Sequence, residues 1–491
     1  MTPPNAPPLL TTSASASAAL LQELGACVGS AHVLATGDLS AWERDQRGRR
    51  QGKALAVVRP GSSAEVATVV RACVRAGVAL VPQGGNTGLS LGATPDGSGQ
   101  HIVLSLARLN RVRALDRDNL TLTAEAGVTL AQAQEAAAEA DLLFPLTLAS
   151  QGSCTIGGNL ATNAGGTQVL RWGNARELCL GLEVVTAQGA LWNGLSGLRK
   201  DNRGYDLRQL FIGSEGTLGI ITAATLKLFA RPRAQVTAWA TVPTLAQAVA
   251  LLGLARRHLG DALTGFEAMS AQALVLVAQH LPQLRQPLPG QAPWAVLIEA
   301  ARSTSASSLE DDLHSLLAQA CAQGCALDAV VASQRSQAQQ LWAIREGIPR
   351  AQALEGLNIK HDIALPTSRL ADFVAHTDAL LARHLPGVRI VNFGHLGDGN
   401  LHYNVQAPAG QASADFLRAH EAEVNALVYD AVVQFGGTFS AEHGVGRLKV
   451  AQLQHYSDPV ALQLMHALKH ALDPLGLMNP GCVLPSAHQK Q

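Results

Sequence analysis

Three glycine-rich segments crowd the first half of the chain, and each falls where regular structure has to stop. Pro82-Gln83-Gly84-Gly85-Asn86-Thr87-Gly88 follows directly on the short apolar run Val78–Val81. Ser150 to Gly166 interleaves Gly152, Gly157, Gly158, Gly165 and Gly166 with Ser153, Thr155, Asn159, Thr162 and Asn163. Gly213-Ser214-Glu215-Gly216-Thr217-Leu218-Gly219 precedes an alternating strand expected to reach Phe229. Backbone without a Cβ approaches a ligand closely, and its amides can converge on an anion. Together the three segments predict a cradle in which main-chain donors neutralise a pyrophosphate without lysines. None reads Gly-x-Gly-x-x-Gly after a first strand, which disfavours a doubly wound nicotinamide domain.

The charge balance agrees with a cradle built from amides. Lys plus Arg (37) equals Asp plus Glu (37) over 491 residues, which removes the phosphate attraction that nucleic-acid binding rests on, so no nucleic acid is expected as partner. A hydrophobic share of 47% against 15% charged excludes disorder over most of the length. Cys27, Cys73, Cys154, Cys179, Cys321, Cys325 and Cys482 are scattered and odd in number, the pattern of a reducing compartment. Cys321 and Cys325 share a helix face but have no second pair to complete a metal site, and they receive no role. No stretch reaches the roughly 18–20 apolar residues of a spanning helix. The opening residues lack a basic leader and read as a loose tail, so a cytoplasmic location follows by default.

Mixed α and β signals run along the chain. A strand over 54–58 leads to a helix opened by Ser62 and Glu65 in capping-box spacing and closed by Gly77; strands follow over 102–106 and 120–124. Thr129 and Gln132 open a helix over 129–140, and 182–186 with 190–193 reads as a hairpin across Gln188-Gly189. Pro232 marks a boundary, beyond which Ala/Leu-rich helices such as 245–258 take over. Strands over 388–393 and 401–405 flank Gly397-Asp398-Gly399, a helix covers 414–435, and Asp473-Pro474 with Asn479-Pro480-Gly481 gives a turn-rich ending.

The sharpest chemical signal is His395-Leu396-Gly397-Asp398-Gly399-Asn400-Leu401-His402, followed later by Glu442-His443-Gly444-Val445-Gly446. Histidines at the two ends of a tight hairpin can converge, and a carboxylate from elsewhere completes a His, His, Glu metal set with an open position. His443 is then available as a general base. Asp398 is the alternative ligand, ranked lower because aspartate between glycines is a common turn residue. A metal-dependent hydrolase would explain this cluster but not the glycine segments. The run Arg44, Arg47, Arg49, Arg50 and Lys53, interleaved with Glu43 and Asp45, is either a solvated face or a salt-sensitive contact for an acidic electron acceptor.

Six motifs occur in one order: Pro82 to Leu89, Ile156 to Gly166, Gly213 to Ile221, His395 to His402, Glu442 to Gly446, and Asn479-Pro480-Gly481. In them the chain, over about residues 40 to 485, resembles the FAD-dependent 2-hydroxyacid dehydrogenases of the vanillyl-alcohol-oxidase superfamily, in the branch of the D-2-hydroxyglutarate, D-lactate and glycolate dehydrogenases. The resemblance implies an α+β fold. After a flexible tail (1–20) come a two-subdomain PCMH-type FAD-binding domain (21–232), an α+β cap or substrate domain (233–440) and a C-terminal segment (441–491) that returns to the FAD domain. It places FAD contacts on Pro82, Gly84, Gly85, Asn86, Thr87, Gly88, Ser150, Gly152, Thr155, Gly158, Asn159, Thr162, Asn163, Gly165, Gly219 and Ile220. Members that attach the flavin covalently use a histidine in the first loop; Asn86 stands here, so non-covalent FAD is expected.

The same resemblance puts a divalent metal on His395, His402 and Glu442, zinc first with manganese or iron as alternatives. It puts the base on His443 and substrate-carboxylate contacts on Arg345, Lys360 and Asn404. It implies oxidation of a D-2-hydroxy acid to the 2-oxo acid, with hydride passing from C2 to flavin N5, a His base and a metal-bound hydroxyl. Electrons would leave to an acceptor other than NAD or oxygen, such as an electron-transfer flavoprotein, a quinone or a cytochrome. A homodimer and a peripheral association with the inner membrane stay open. Pro349 stands where the 2-hydroxyglutarate enzymes carry threonine, which leaves the exact acid open. The alternative on the same fold is a non-redox or reductive flavoenzyme, such as an ether-lipid synthase or a cell-wall precursor reductase.

Overall fold

A computed structural model describes residues 14–288, 290, 292–303 and 307–486. The chain divides into two compact units. The first takes the residues up to Gly165, Asn174–Ala230 and those from Glu442 on; the second takes Gly166–Gly173 and Arg231–Ala441.

In the first unit, β1 (Val33–Leu34), β2 (Ala54–Val58), β3 (Leu80–Gln83) and β4 (His101–Ser105) form a sheet in the order β1-β2-β4-β3. β2, β4 and β3 run parallel, and their near-continuous apolar sequence reflects burial of the sheet on both faces. Between β2 and β3 the helix Ser63–Ala76 starts where the Ser62 side chain accepts the Glu65 N–H, and it stops at left-handed Gly77. The expected tail over 1–20 is corrected from residue 14 on, since a helix runs over Ala14–Val28. Its Leu20, Leu24 and Val28, spaced one turn apart, are buried against Val66, Val70 and Cys73. Residues 1–13 of that span lie outside the described residues.

A second sheet of the same unit has the order β5-β6-β10-β8-β9, from β5 (Val112–Asp116), β6 (Thr121–Glu125), β8 (Cys179–Thr186), β9 (Leu191–Gly194) and β10 (Gly219–Lys227). The short pair β7 (Leu142–Leu143) and β11 (Phe229–Ala230) stands apart from it. β10 does not alternate as its sequence suggested: every residue from Gly219 to Leu226 is buried, because the strand lies between β6 and β8 at the sheet centre. The ending from Asp473 to Ser486 is turn-rich, as its sequence suggested, and follows two helices. Helices occupy Val450–Tyr456 and Pro459–Leu472, the latter capped by the Asp458 side chain on the Val460 and Ala461 amides. Beyond them the chain returns to the edge of the first sheet, where Leu80 N–H donates to Leu477 O (2.9 Å) and Asn479 N–H to Leu80 O (2.8 Å).

The second unit is built on one antiparallel sheet of seven strands: β12 (Ala234–Val242), β13 (Leu263–Ser270), β14 (Trp294–Arg302), β15 (Asp328–Val331), β16 (Asn358–Ala364), β17 (Arg389–His395) and β18 (Asn400–Gln406). Their order is β15-β12-β14-β13-β17-β18-β16. The helix Arg335–Glu355 lays Leu341, Ile344, Ile348 and Ala351 on Trp239, Leu297, Val391 and Phe393 of this sheet. Residues 166–173, read from sequence as part of the cofactor half, belong here instead. Gln168 Nε2 donates to Glu299 Oε1 (2.9 Å) and Arg171 Nη1 to the Ala301 carbonyl (2.6 Å).

Candidate active site

The two glycine segments after β3 and before β10, with part of the one between them, wall a groove of about 910 Å³ in the first unit. Contact there is too close for side chains. A Cβ on Gly85 would lie 1.9 Å from the Ser153 carbonyl oxygen, and one on Gly84 would lie 2.3 Å from Thr155 Oγ1. Thr155 Oγ1 is buried in this wall with no hydrogen-bond partner among the described residues, an orphan that a ligand would satisfy. A bare backbone cradle with an unspent hydroxyl suits a dinucleotide.

Of the expected flavin contacts, Pro82, Gly84, Gly85, Asn86, Thr87, Gly88, Thr155, Gly158, Asn159, Thr162, Gly219 and Ile220 line the groove. Ser150, Gly152, Asn163 and Gly165 are not among its lining residues. Ser150 O caps the turn by accepting from the Ser153 (2.9 Å) and Cys154 (2.8 Å) amides, and Asn163 Oδ1 accepts the Arg176 N–H (3.0 Å). The Asn86 side chain is turned to the wall, where Nδ2 donates to the carbonyls of Ala41 (3.1 Å) and Arg44 (2.9 Å). The sequence reading did not single out Gln83, Ser90 and Glu215, which also line the groove, and His443 lines it as well.

In the second unit the histidine hairpin is real: β17 ends at His395, β18 begins at Asn400, and the rings of His395 and His402 stand 5.6 Å apart at 78°. Register explains the rest. Glu267 on β13 pairs with His395 on β17, and its Oε1 lies 2.7 Å from His395 Nδ1. The other oxygen accepts Arg345 Nε at 2.7 Å. Burial alone would push the Glu267 carboxyl up, but the charges of His395 and Arg345 and their hydrogen bonds outweigh it and hold it at about 2. The carboxylate therefore claims His395 Nδ1, the arrangement by which carboxylates orient metal-binding imidazoles.

Arg345 is buried, with its guanidinium 4.9 Å over the Phe393 ring, and neither Nη nitrogen has an acceptor among the described residues. Lys360 and Asn404 are register partners on β16 and β18, and Asn404 Nδ2 donates to Gln352 Oε1 (3.0 Å). One row further, Asp362 is the register partner of His402, its Oδ1 3.7 Å from His402 Nδ1. The structure thus gathers His395, His402, Arg345, Lys360 and Asn404 around one sheet face. Glu442 is the next residue after Ala441, whose N–H donates to Asp362 O (3.2 Å). Pro349 sits inside the helix Arg335–Glu355, four residues after Arg345, and offers the Arg345 carbonyl no donor. Asp398 serves the hairpin turn, accepting the Asn400 N–H at 3.2 Å.

A glycine-walled dinucleotide groove beside a histidine, together with a pair of imidazoles of which one is held by a buried carboxylate, defines a cofactor-dependent enzyme. Comparison with known proteins makes this specific. The FAD binding domain family matches residues 54–194, and the family described as FAD linked oxidases, C-terminal domain, matches residues 231–483. A D-2-hydroxyglutarate dehydrogenase of Xanthomonas citri pv. viticola is 40% identical over 444 residues, spanning 90% of this chain and 92% of its own. The mitochondrial D-2-hydroxyglutarate dehydrogenase of Rattus norvegicus is 40% identical over 439 residues (89% and 79%). A putative mitochondrial D-lactate dehydrogenase of Schizosaccharomyces pombe is 35% identical over 452 residues (90% and 84%). Among solved structures, p-cresol methylhydroxylase superposes with a TM-score of 0.77 at 16% identity (98% and 99% covered), a likeness of fold alone. The same holds for an alkyldihydroxyacetonephosphate synthase, TM-score 0.70 at 17% identity (94% and 84% covered). The chain belongs to the FAD-linked oxidases, in the FAD-dependent 2-hydroxyacid dehydrogenase branch of the vanillyl-alcohol-oxidase superfamily. The hydrolase alternative is left without support.

Proposed function

We propose that this enzyme oxidises a D-2-hydroxy acid to the 2-oxo acid, with His443 as the base. The observation that carries the reading is that His443 lines the same groove as the glycine segments, so a proton acceptor stands within the flavin cradle itself. FAD, held non-covalently by the cradle, supplies the acceptor for the hydride from C2. His395 and His402, with Glu442 as third ligand, would hold a divalent cation, zinc first, whose chemistry is to acidify a bound hydroxyl. The two Nη donors of Arg345 and the ammonium of Lys360 hold carboxylate charge, and Asn404 orients the acid. His443 takes the hydroxyl proton. Replacement of His443 by Ala is expected to slow flavin reduction by about 10²–10⁴-fold, the usual contribution of a general base.

D-2-hydroxyglutarate is the first acid to test, since relatives at 40% identity carry that name. A shorter acid such as D-lactate is the second reading, favoured by Pro349, which brings neither hydroxyl nor amide donor to the helix beside Arg345. Electrons then pass to a flavoprotein, quinone or cytochrome. The cytoplasmic location read from sequence does not match the rat relative, which is named as a mitochondrial enzyme. What stands is that no helix of the described residues is long and apolar enough to cross a membrane. The test is an anaerobic screen of D- and L-2-hydroxy acids against the yellow protein: bleaching by a D-acid supports the reading, and flavin that no 2-hydroxy acid reduces refutes it.

A further inference from the structure

The groove is lined by a carboxylate to which the reaction above gives no task. Glu215 lies in the third glycine segment with φ 52, between Gly213 (φ 79) and Gly216 (φ 72). A left-handed backbone is unfavourable for glutamate and persists where the surroundings demand it. The side chain is buried, and its partners are backbone amides. Val445 N–H donates to Oε1 (2.8 Å) and Gly446 N–H to Oε2 (2.9 Å), while Cys482 Sγ lies 3.6 Å from Oε2. Burial pushes the Glu215 carboxyl up, and the two amides pull it back only in part. A group placed this expensively for the fold has to hold something that matters to it.

What it holds is the loop that begins at His443. Gly444 (φ 72) packs so tightly on the carboxylate that a Cβ there would lie 2.7 Å from Glu215 Oε1. From the other side Ser90 grips the same loop: its Oγ donates to Gly444 O (3.2 Å), and its carbonyl accepts the Arg447 N–H (2.9 Å). Gly446 (φ 54) is pressed against that carbonyl, 1.8 Å from where its Cβ would stand. Ser90, Glu215 and His443 all line one groove, so the clamp and the imidazole share a wall.

We propose that Glu215 is a positioning residue for His443, its carboxylate fastened to the Val445 and Gly446 amides so that the backbone carrying the imidazole is fixed in the groove. A carboxylate suits this task because its two oxygens accept two N–H groups at once and present no donor against them. The inference rests on the reading of His443 as the base and deepens it. Small misplacements of a reacting group slow a reaction by about 10²-fold, which sets the expected scale.

The test uses the full-length, FAD-loaded protein and its Glu215→Ala and Glu215→Gln variants. Four quantities are measured: FAD content, binding of 2-oxoglutarate and pyruvate, hydrogen exchange of the 443–447 amides, and the limiting rate of anaerobic flavin reduction by D-2-hydroxyglutarate and D-lactate. Glu215→Ala is expected to keep its FAD and its affinity for the oxo acid. Exchange at Val445 and Gly446 should rise about tenfold or more as their acceptor is lost. The limiting reduction rate should fall roughly 10- to 100-fold, with Glu215→Gln recovering part of it through its remaining acceptor oxygen. A purely structural role would lower FAD content or oxo-acid affinity and leave the limiting rate alone. Should Glu215→Ala not fold, Gly444→Ala attacks the same contact from the loop side and carries the same expectations. A folded, FAD-loaded variant whose 445 and 446 amides stay protected, or whose limiting rate stays at the parent value, overturns the proposal. His443→Ala, run in parallel, separates the two failures: if it is slow while Glu215→Ala is normal, only the positioning role falls; if it is itself normal, the base reading falls and takes the positioning role with it.

Discussion

Glu267→Gln is the most diagnostic single change in the second unit. The native carboxylate is 1% exposed and serves Arg345 Nε and His395 Nδ1 at 2.7 Å each. Glutamine keeps the shape but has one acceptor for two donors, and it removes the carboxylate that faces the buried guanidinium. Breaking a buried pair by removing one partner costs about 3–5 kcal/mol; the acceptor that glutamine retains sets the expectation at about 3 kcal/mol. The guanidinium stacks on Phe393 in parent and variant alike, so that contact offsets none of the loss. At about 2–4 °C per kcal/mol for a unit of this size, the loss lowers its thermal transition by roughly 6–12 °C. Urea unfolding followed by tryptophan fluorescence reads this directly, since Trp239 is buried in the core of the sheet. Adding Arg345→Met removes the stranded charge, so the double variant should regain at least half of the loss. The acid limb gives a second check. The carboxyl is held at about 2 against an ordinary 4.5, so its contribution is complete above 4.5 and drains away as the pH falls toward 2. A cost under about 1 kcal/mol, or a double variant that loses the sum of the singles, would refute the idea that Glu267 neutralises a buried charge.

Three further outcomes are expected. Gly85→Ala, whose Cβ would meet the Ser153 carbonyl oxygen at 1.9 Å, should yield a folded but colourless protein; a full complement of FAD in that variant would contradict the backbone cradle. Acid precipitation followed by filtration should release all yellow colour, because the side-chain amide of Asn86 is committed to the Ala41 and Arg44 carbonyls; flavin retained on the protein would show a covalent bond. Treatment with a chelator should abolish turnover while leaving FAD bound, and enzyme that keeps its activity when stripped of metal would remove His395 and His402 from the catalytic ligands.

Local chemistry was the legible part of the sequence. The Thr129 and Gln132 pair predicts a capping box and forms one, and Gly77 ends its helix in the left-handed conformation. The histidine hairpin was equally visible, since both rings hang on strands joined by one tight turn. Residues recruited through sheet order were hidden. Glu267 lies within Phe266-Glu267-Ala268-Met269, and only the antiparallel pairing of β13 with β17 sets it opposite His395. A lone acid in an apolar run was the available clue. Glu215 stood inside a recognised motif, but its partners Val445 and Gly446 come from the far end of the chain, where no spacing rule reaches. The stretch 166–173 misled for a different reason: its glycine neighbours continue the cofactor pattern, while Gln168 and Arg171 answer to Glu299 and Ala301.

The return of residues 477–479 to the edge of β3 has a bearing on biogenesis. Translation delivers β3 early, yet the strand-like partner that bonds Leu80, the Asn479 side chain that donates to the Gly92 and Glu215 carbonyls, and the Val445–Gly446 amides all emerge near the finish. A nascent chain can therefore fold much of its first sheet while one side of that sheet still lies open to aberrant pairing. The groove that Gly92 and Glu215 help to line therefore acquires its full set of bonds only once residues 445–479 have joined it.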